Sequence, residues 1–185
     1  MAPSQVFDGP MTHRLAAILF DLGDTIIVEE SEVKDAEETT RQADLIPGMA
    51  EALRQFKAQG LLLGLVADSR PNTPPNVLRQ HGLYDLFGTL TISEVVGAAK
   101  PDPYIFRVAL DALGILERDY GRVVMVGNNL ERDIAGANRL GLISVFFYWN
   151  DRRRSQPLAE DEHPQHTVSS ANELIELIAR LDRPA

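Results

Sequence analysis

Residues 15–25 read LAAILFDLGDT, an unbroken apolar run that stops at Asp21 and then turns through Leu22, Gly23, Asp24 and Thr25. A short continuous run without polar alternation suits a strand buried on both faces, as in parallel sheets covered by helices. In open parallel sheets, ligands bind at the carboxyl edge of the strands. The expected architecture is therefore a doubly wound α/β domain with Asp21 on its active edge.

Working outward, similar runs recur as LLLGLVAD (61–68), a weaker TLTISEVV (89–96), RVVMVGN (122–128) and ISVFFYWN (143–150). Helical patterns fall between them at about 49–59, 75–81, 103–114, 130–140 and 171–181. Their ends carry signals: Asp102 before Pro103 is an N-cap with proline in the first turn, and Ser170 with Glu173 forms a capping box. Gly60, Gly82, Gly114 and Gly141 stand where helices should stop. Such alternation implies β-α-β units with right-handed crossovers. Residues 26–46 form a charged stretch with at most one short helix, and residues 150–166 a polar loop. The opening residues 1–14 read as a flexible arm, and 15–182 as one domain.

The bulk properties narrow the partners. At 185 residues and 44% apolar composition, one core is the default. A formal charge of -9 opposes phosphate backbones and anionic lipid surfaces, so neither nucleic acid nor membrane is an expected partner. The longest apolar runs reach about a third of the roughly 20 residues that a membrane helix needs. There is no cysteine, and the four histidines show no zinc-binding spacing. The opening segment lacks the charged start and apolar stretch of an export signal, and a cytoplasmic setting is expected.

The residues just past each strand carry the chemistry. They are Asp21, Gly23, Asp24 and Thr25 after the first, Asp68 and Ser69 after the second, Lys100 after the third, and Asn128 with Asp133 after the fourth. Hard oxygen donors of this kind suit magnesium, and a lysine is the point charge that holds a phosphate oxygen.

In this order FDLGDT, VADS, KPDPYIF and VGNNLERDIAGANRLG resemble the four motifs of the haloacid dehalogenase-like (HAD) hydrolases, over about residues 15 to 182. The resemblance implies a three-layer, Rossmann-like parallel sheet and a magnesium-dependent phosphatase. Asp21 would attack phosphorus to form an aspartyl-phosphate. Lys100 would bridge Asp21 and the phosphoryl group, and Asp68 and Ser69 would help hold it. The Asp21 carboxylate, the Gly23 carbonyl, Asn128 and Asp133 would bind the metal.

Three departures bear on activity. The second aspartate of the first motif, the usual acid-base catalyst, is Gly23 here. Asp24 would replace it only if the glycine lets the turn rotate it inward, and is otherwise a turn residue. Ala67 stands where the second motif has a hydroxyl, which Ser69 would supply from a shifted position. Asn128 replaces an acid of the fourth motif and removes one negative charge from the metal site. A slow phosphatase is the primary expectation. A catalytically weak or non-catalytic binding or regulatory protein on the same fold is the main alternative, with haloacid dehalogenation behind it.

The 21 residues between Thr25 and Pro47 are too few for a helical cap, and the 30 between Ser69 and Lys100 are largely a helix and a strand. An open site of this kind is expected to act on a small phosphorylated metabolite or a phosphoprotein, with a homo-oligomer as one way to cover its mouth. Arg152, Arg153 and Arg154 should leave the sheet at the active edge. They either contact an anionic substrate or form a basic turn neutralised by Glu160, Asp161 and Glu162.

Overall fold

The structure is a computed structural model in which residues 14–183 are described. Except for Arg14, the expected amino-terminal arm lies outside them. The apolar runs become strands β1 (Ala17–Phe20), β4 (Leu62–Ala67), β5 (Thr89–Ile92), β6 (Val123–Gly127) and β7 (Ile143–Phe147) of one parallel sheet. Its order is β5-β4-β1-β6-β7-β8, the last strand being His166–Val168. The chain order runs away from β1 in both directions, so β1 lies at the topological switch point where ligands bind in such sheets.

Alternation along each strand divides the core into two. Ile18, Phe20, Leu63, Leu65, Val124 and Val126 pack against helices α1 (Met49–Ala58), α2 (Thr73–Gln80) and α6 (Ala171–Leu181). Ala17, Leu19, Val66, Val123 and Met125 face α4 (Pro103–Ala112) and Ala137 of α5 (Ala135–Arg139). Three layers result, as expected for a doubly wound sheet. Full burial of one large aliphatic side chain stabilises by about 1.5–3 kcal/mol, which is why uninterrupted apolar runs are retained at these positions.

The helix ends largely follow the sequence signals. The Asp102 carboxylate accepts the Tyr104 N–H at 2.9 Å, and Ser170 Oγ accepts the Glu173 N–H at 3.2 Å. The capping box is displaced by one residue, because Glu173 accepts the N–H of Ser169 rather than that of Ser170.

Four expectations need correction. The run 89–96 is a strand only to Ile92; Ser93–Val96 is a short helix, α3, closed by Gly97 at φ 77°. Val95 is exposed on that helix. Residues 26–46 contain a 3-10 turn at Glu29–Ser31 and also an antiparallel hairpin of β2 (Val33–Lys34) and β3 (Thr40–Gln42). Asp35 forms its turn by accepting the N–H groups of Glu37 and Thr39, and Thr40 ties it to α2 through Thr73 Oγ1 at 3.0 Å. The polar loop after β7 leads into β8, which pairs with β7 through three residues. The helix expected over 130–140 opens with a wide π-type turn, Leu130–Ile134, before α5. No helix among the described residues is long and apolar enough to cross a membrane.

Candidate active site

The end of β1 continues its pairing one residue further, since the Asp21 N–H donates to the Val126 carbonyl at 2.9 Å. That bond holds the Asp21 side chain at the sheet edge. Beyond it the Leu22 carbonyl accepts from Thr25, Ile26 and Ile27, and the buried Ile26 and Ile27 anchor the turn in the core.

Lys100 joins the two halves of the site. Its buried ammonium lies 2.6 Å from Asp21 Oδ1 and 2.7 Å from Asp133 Oδ1, and donates to the Val66 carbonyl at 2.8 Å. Burial opposes the charged form, but Asp133, Asp21 and Asp68 outweigh it and hold the Lys100 pKa above its usual range. Asp68 accepts the Lys100 N–H at 3.0 Å and stands 3.4 Å from Arg132, so it fixes the loop that delivers the lysine. Thr25 Oγ1 contacts the second Asp21 oxygen at 3.5 Å. Of the central three side chains, Asp21 alone keeps appreciable exposure, 14% against 2% and 1% for Lys100 and Asp133.

The π-type turn carries Asp133 inward. Both Asp133 and Ile134 donate their N–H groups to the Asn129 carbonyl, while Asp133 Oδ2 accepts the Asn129 N–H at 3.0 Å. Such widened turns commonly mark functional sites. Gly127 makes the approach possible, because a Cβ there would overlap the Asp133 carboxyl group. Burial raises the Asp133 pKa to about 7, partly opposed by Lys100 and reinforced by Asp21.

Asp21, Lys100 and Asp133, together with Gly23, Asp68, Ser69 and Asn128, line one cavity of about 530 Å³. Asp24 is not brought into it. This residue adopts φ 47°, is fully buried, accepts the Glu29 N–H at 3.1 Å and lies 3.1 Å from Arg152 Nε. The left-handed turn directs its carboxylate into the supporting structure instead of toward the cavity. Ser69 reaches the rim with its N–H already donated to Ser93 Oγ and its hydroxyl to the Arg70 carbonyl. Of the arginine triplet, Arg153 lines the cavity, Arg152 pairs with Asp24, Glu29 and Glu30, and Arg154 forms a two-pronged pair with Glu162.

Sequence reasoning missed Glu29, Ser93 and the hairpin residues Glu32, Lys34, Glu38 and Thr40, all of which line the cavity. Thr40 follows a turn that Asp35 signals, whereas Glu29 lies in an acidic run, IVEESE, that has no periodicity to single it out.

The donor set suits a hard cation. Asp21 and Asp133 supply carboxylates, Asn128 an amide oxygen and Gly23 a backbone carbonyl. Among the described residues no three acidic, histidine or cysteine side chains gather closely enough to hold a metal by themselves. Magnesium does not require that, since it commonly takes one or two carboxylates and completes its shell with water and substrate oxygens. Among the described residues Asp133 Oδ1 is also buried without an aligned hydrogen-bond donor, 2.7 Å from the Lys100 ammonium.

An aspartate at the switch point of a parallel sheet, a lysine bridging it to a second aspartate, and oxygen donors beside them form the arrangement that the sequence resemblance implies. The chain belongs to the haloacid dehalogenase-like hydrolase family, whose profile matches residues 37–141. It is 30% identical over 135 residues to glyceraldehyde 3-phosphate phosphatase of Methanopyrus kandleri, covering 73% of this chain and 57% of that protein. It is 36% identical over 135 residues to a pyrimidine 5′-nucleotidase of Escherichia coli, covering 73% and 57%. The chain thus spans little more than half the length of the curated relatives it matches. The crystal structure of a HAD phosphatase from Thermococcus onnurineus superposes with TM-score 0.72 at 19% identity, over 89% of this chain and 98% of that one, a likeness of fold.

Proposed function

We propose that residues 15–182 form a single magnesium-dependent phosphatase domain that hydrolyses a small phosphate monoester through an aspartyl-phosphate on Asp21. The observation that carries this reading is the buried Lys100 ammonium held 2.6 Å from Asp21 and 2.7 Å from Asp133, all three residues lining one cavity. An Asp21 oxygen attacks phosphorus while the bond to the ester oxygen breaks. Lys100 offsets the repulsion between the carboxylate and the phosphoryl oxygens. Asp21, the Gly23 carbonyl, Asn128 and Asp133 would hold magnesium, which supplies Lewis-acid neutralisation of phosphoryl charge when bound. Water then attacks the aspartyl-phosphate, the phosphorus–Asp21 bond breaks, and inorganic phosphate leaves.

The cavity wall favours a small polar ester over a nucleotide or a halogenated acid. Among the described residues no aromatic side chain lines it, so a base has nothing to stack on there, and Leu22 and Ala67 are the apolar side chains. The short hairpin leaves the mouth open, so the substrate or a second copy of the chain covers it. A phosphoprotein is the larger substrate that such a mouth would admit. A cytoplasmic setting accords with this substrate class.

The test is hydrolysis of p-nitrophenyl phosphate and a panel of small phosphate esters, with and without magnesium. Wild type should turn over only with the metal, and Asp21→Asn should be inactive. Equal rates for the two proteins would overturn the reading. Tight phosphate binding without turnover would favour a binding or regulatory role, and metal-independent halide release from a 2-haloacid would favour dehalogenation.

A further inference from the structure

The space beside Gly23 is filled from elsewhere in the chain. A Cβ built on Gly23 would lie 2.5 Å from Glu29 Oε1 and 2.8 Å from its Cγ, so the Glu29 side chain occupies the position that a side chain at residue 23 would take. Its carboxylate is clamped there. Oε1 pairs with Arg153 at 2.9 Å and Oε2 with Arg152 at 3.3 Å, while the Glu29 N–H is held by Asp24 at 3.1 Å. The side chain lines the same cavity as Asp21 and keeps 25% exposure.

Apart from Asp21, four other carboxylates of the cavity have different tasks, and Glu38 is exposed on the hairpin turn. Asp133 faces Lys100, Asp68 holds the Lys100 loop, and Glu32 accepts the Thr40 hydroxyl and pairs with Lys34. Glu94 pairs with Arg70. Glu29 alone among these lies against the turn that presents Asp21. Its two carboxylate oxygens are each held by a different guanidinium group, which fixes the side chain beside that turn.

We propose that Glu29 is the general base of the dephosphorylation step, a role that rests on the phosphatase reading above. Glu29 takes a proton from the water that attacks the aspartyl-phosphate. The water oxygen bonds to phosphorus, the phosphorus–Asp21 bond breaks, and Asp21 returns to its carboxylate. The proton then passes from Glu29 to solvent. Asp24, Arg152 and Arg153 act as positioning residues for this carboxylate.

The experiment is rapid-mixing kinetics of the magnesium-loaded enzyme with p-nitrophenyl phosphate, combined with acid trapping of the phosphoenzyme. Wild type should turn over steadily. Glu29→Gln, which keeps the shape beside Gly23, should release one equivalent of p-nitrophenol, accumulate phosphoenzyme, and then turn over about 10²–10⁴-fold more slowly, the usual worth of general-base assistance. Glu29→Asp should recover part of that turnover.

A relocation test is independent of this one. Gly23→Asp alone should slow turnover, because its carboxylate collides with Glu29, whereas Gly23→Asp in a Glu29→Ala background should be faster than Glu29→Ala. A Glu29→Gln protein with wild-type turnover would overturn the assignment. So would one that loses the burst and the steady rate together while melting normally, or a double variant no faster than Glu29→Ala. Wild type that forms no phosphoenzyme and hydrolyses no ester would overturn the phosphatase reading itself, and this role with it.

Discussion

Gly127→Ala tests whether the approach of Asp133 to the end of β6 is what completes the site. The added methyl would stand 2.5 Å from Asp133 Cβ and closer to its carboxyl carbon. Carbon atoms settle at about 3.5–4.0 Å, so Asp133 must retreat by about 1 Å. Its partner cannot follow, because the same Lys100 ammonium is bound to Asp21 at 2.6 Å and to the Val66 carbonyl at 2.8 Å. The Lys100–Asp133 pair, 2.7 Å in the native protein, therefore lengthens or breaks. A 1 Å misplacement of a reacting constellation can cost about 10²-fold in rate. Overpacking a buried position typically costs about 1–3 kcal/mol, offset by about 0.4–1 kcal/mol from the stiffer unfolded chain. A net loss near 1–2 kcal/mol corresponds to a melting temperature lower by about 2–8 °C for a domain of this size. Turnover of p-nitrophenyl phosphate and a thermal melt followed by circular dichroism measure both effects. Wild-type turnover with an unchanged melt would refute the reasoning.

Further expectations address stability, pH and leaving groups. Gly136→Ala, whose methyl would meet the Phe106 ring, should lower the melting temperature through similar overpacking while the folded protein keeps its turnover; thermal melts with parallel assays check this. The Arg154 hydrogen bonds, then the Leu158 N–H and other contacts, hold the Glu162 pKa at about 2 against an ordinary 4.5. Its stabilisation should be complete above about pH 4.5 and lost as pH falls through about 2, so the exchange protection of the Leu158 and Ala159 amides, relative to the intrinsic rate at each pH, should fall over that range in wild type and lose this pH dependence in Glu162→Gln. With glycine at position 23 and Asp24 outside the cavity, neither of these two positions supplies an acid to the leaving oxygen. Alkyl esters should therefore react about 10²–10⁴-fold more slowly than aryl esters, and a flat dependence of rate on leaving-group pKa would contradict this.

The central sheet and its rim were legible because they rest on local patterns. Five apolar runs located five of the six strands of the main sheet, and Asp21, Lys100 and Asp133 each lie in a motif at or near a strand end. What the sequence concealed depends on contacts between distant segments. Strand β8 has three residues in a polar stretch and is recognisable only by its pairing with β7. The β2–β3 hairpin is too short to show alternation and is secured by Thr73 and Asn76 of α2. The fate of Asp24 turned on the sign of one backbone angle. Glu29 is held by Arg152 and Arg153, more than a hundred residues away, and nothing in its own neighbourhood distinguishes it from Glu30. Gly127 is adjacent to Asn128 in the fourth motif, but the reason for a glycine there emerges only when the π-type turn lays Asp133 across it.

The central claim is that Asp21 becomes covalently phosphorylated, and mass analysis of the acid-quenched enzyme tests it most directly. Wild-type protein mixed briefly with magnesium and p-nitrophenyl phosphate, then quenched and digested, should show a peptide containing Asp21 heavier by one phosphoryl group. The adduct should be discharged by hydroxylamine, as an acyl phosphate is, and should be absent from Asp21→Asn. Turnover with no adduct at Asp21 under any quench time, or an adduct on another residue that persists in Asp21→Asn, would contradict the account.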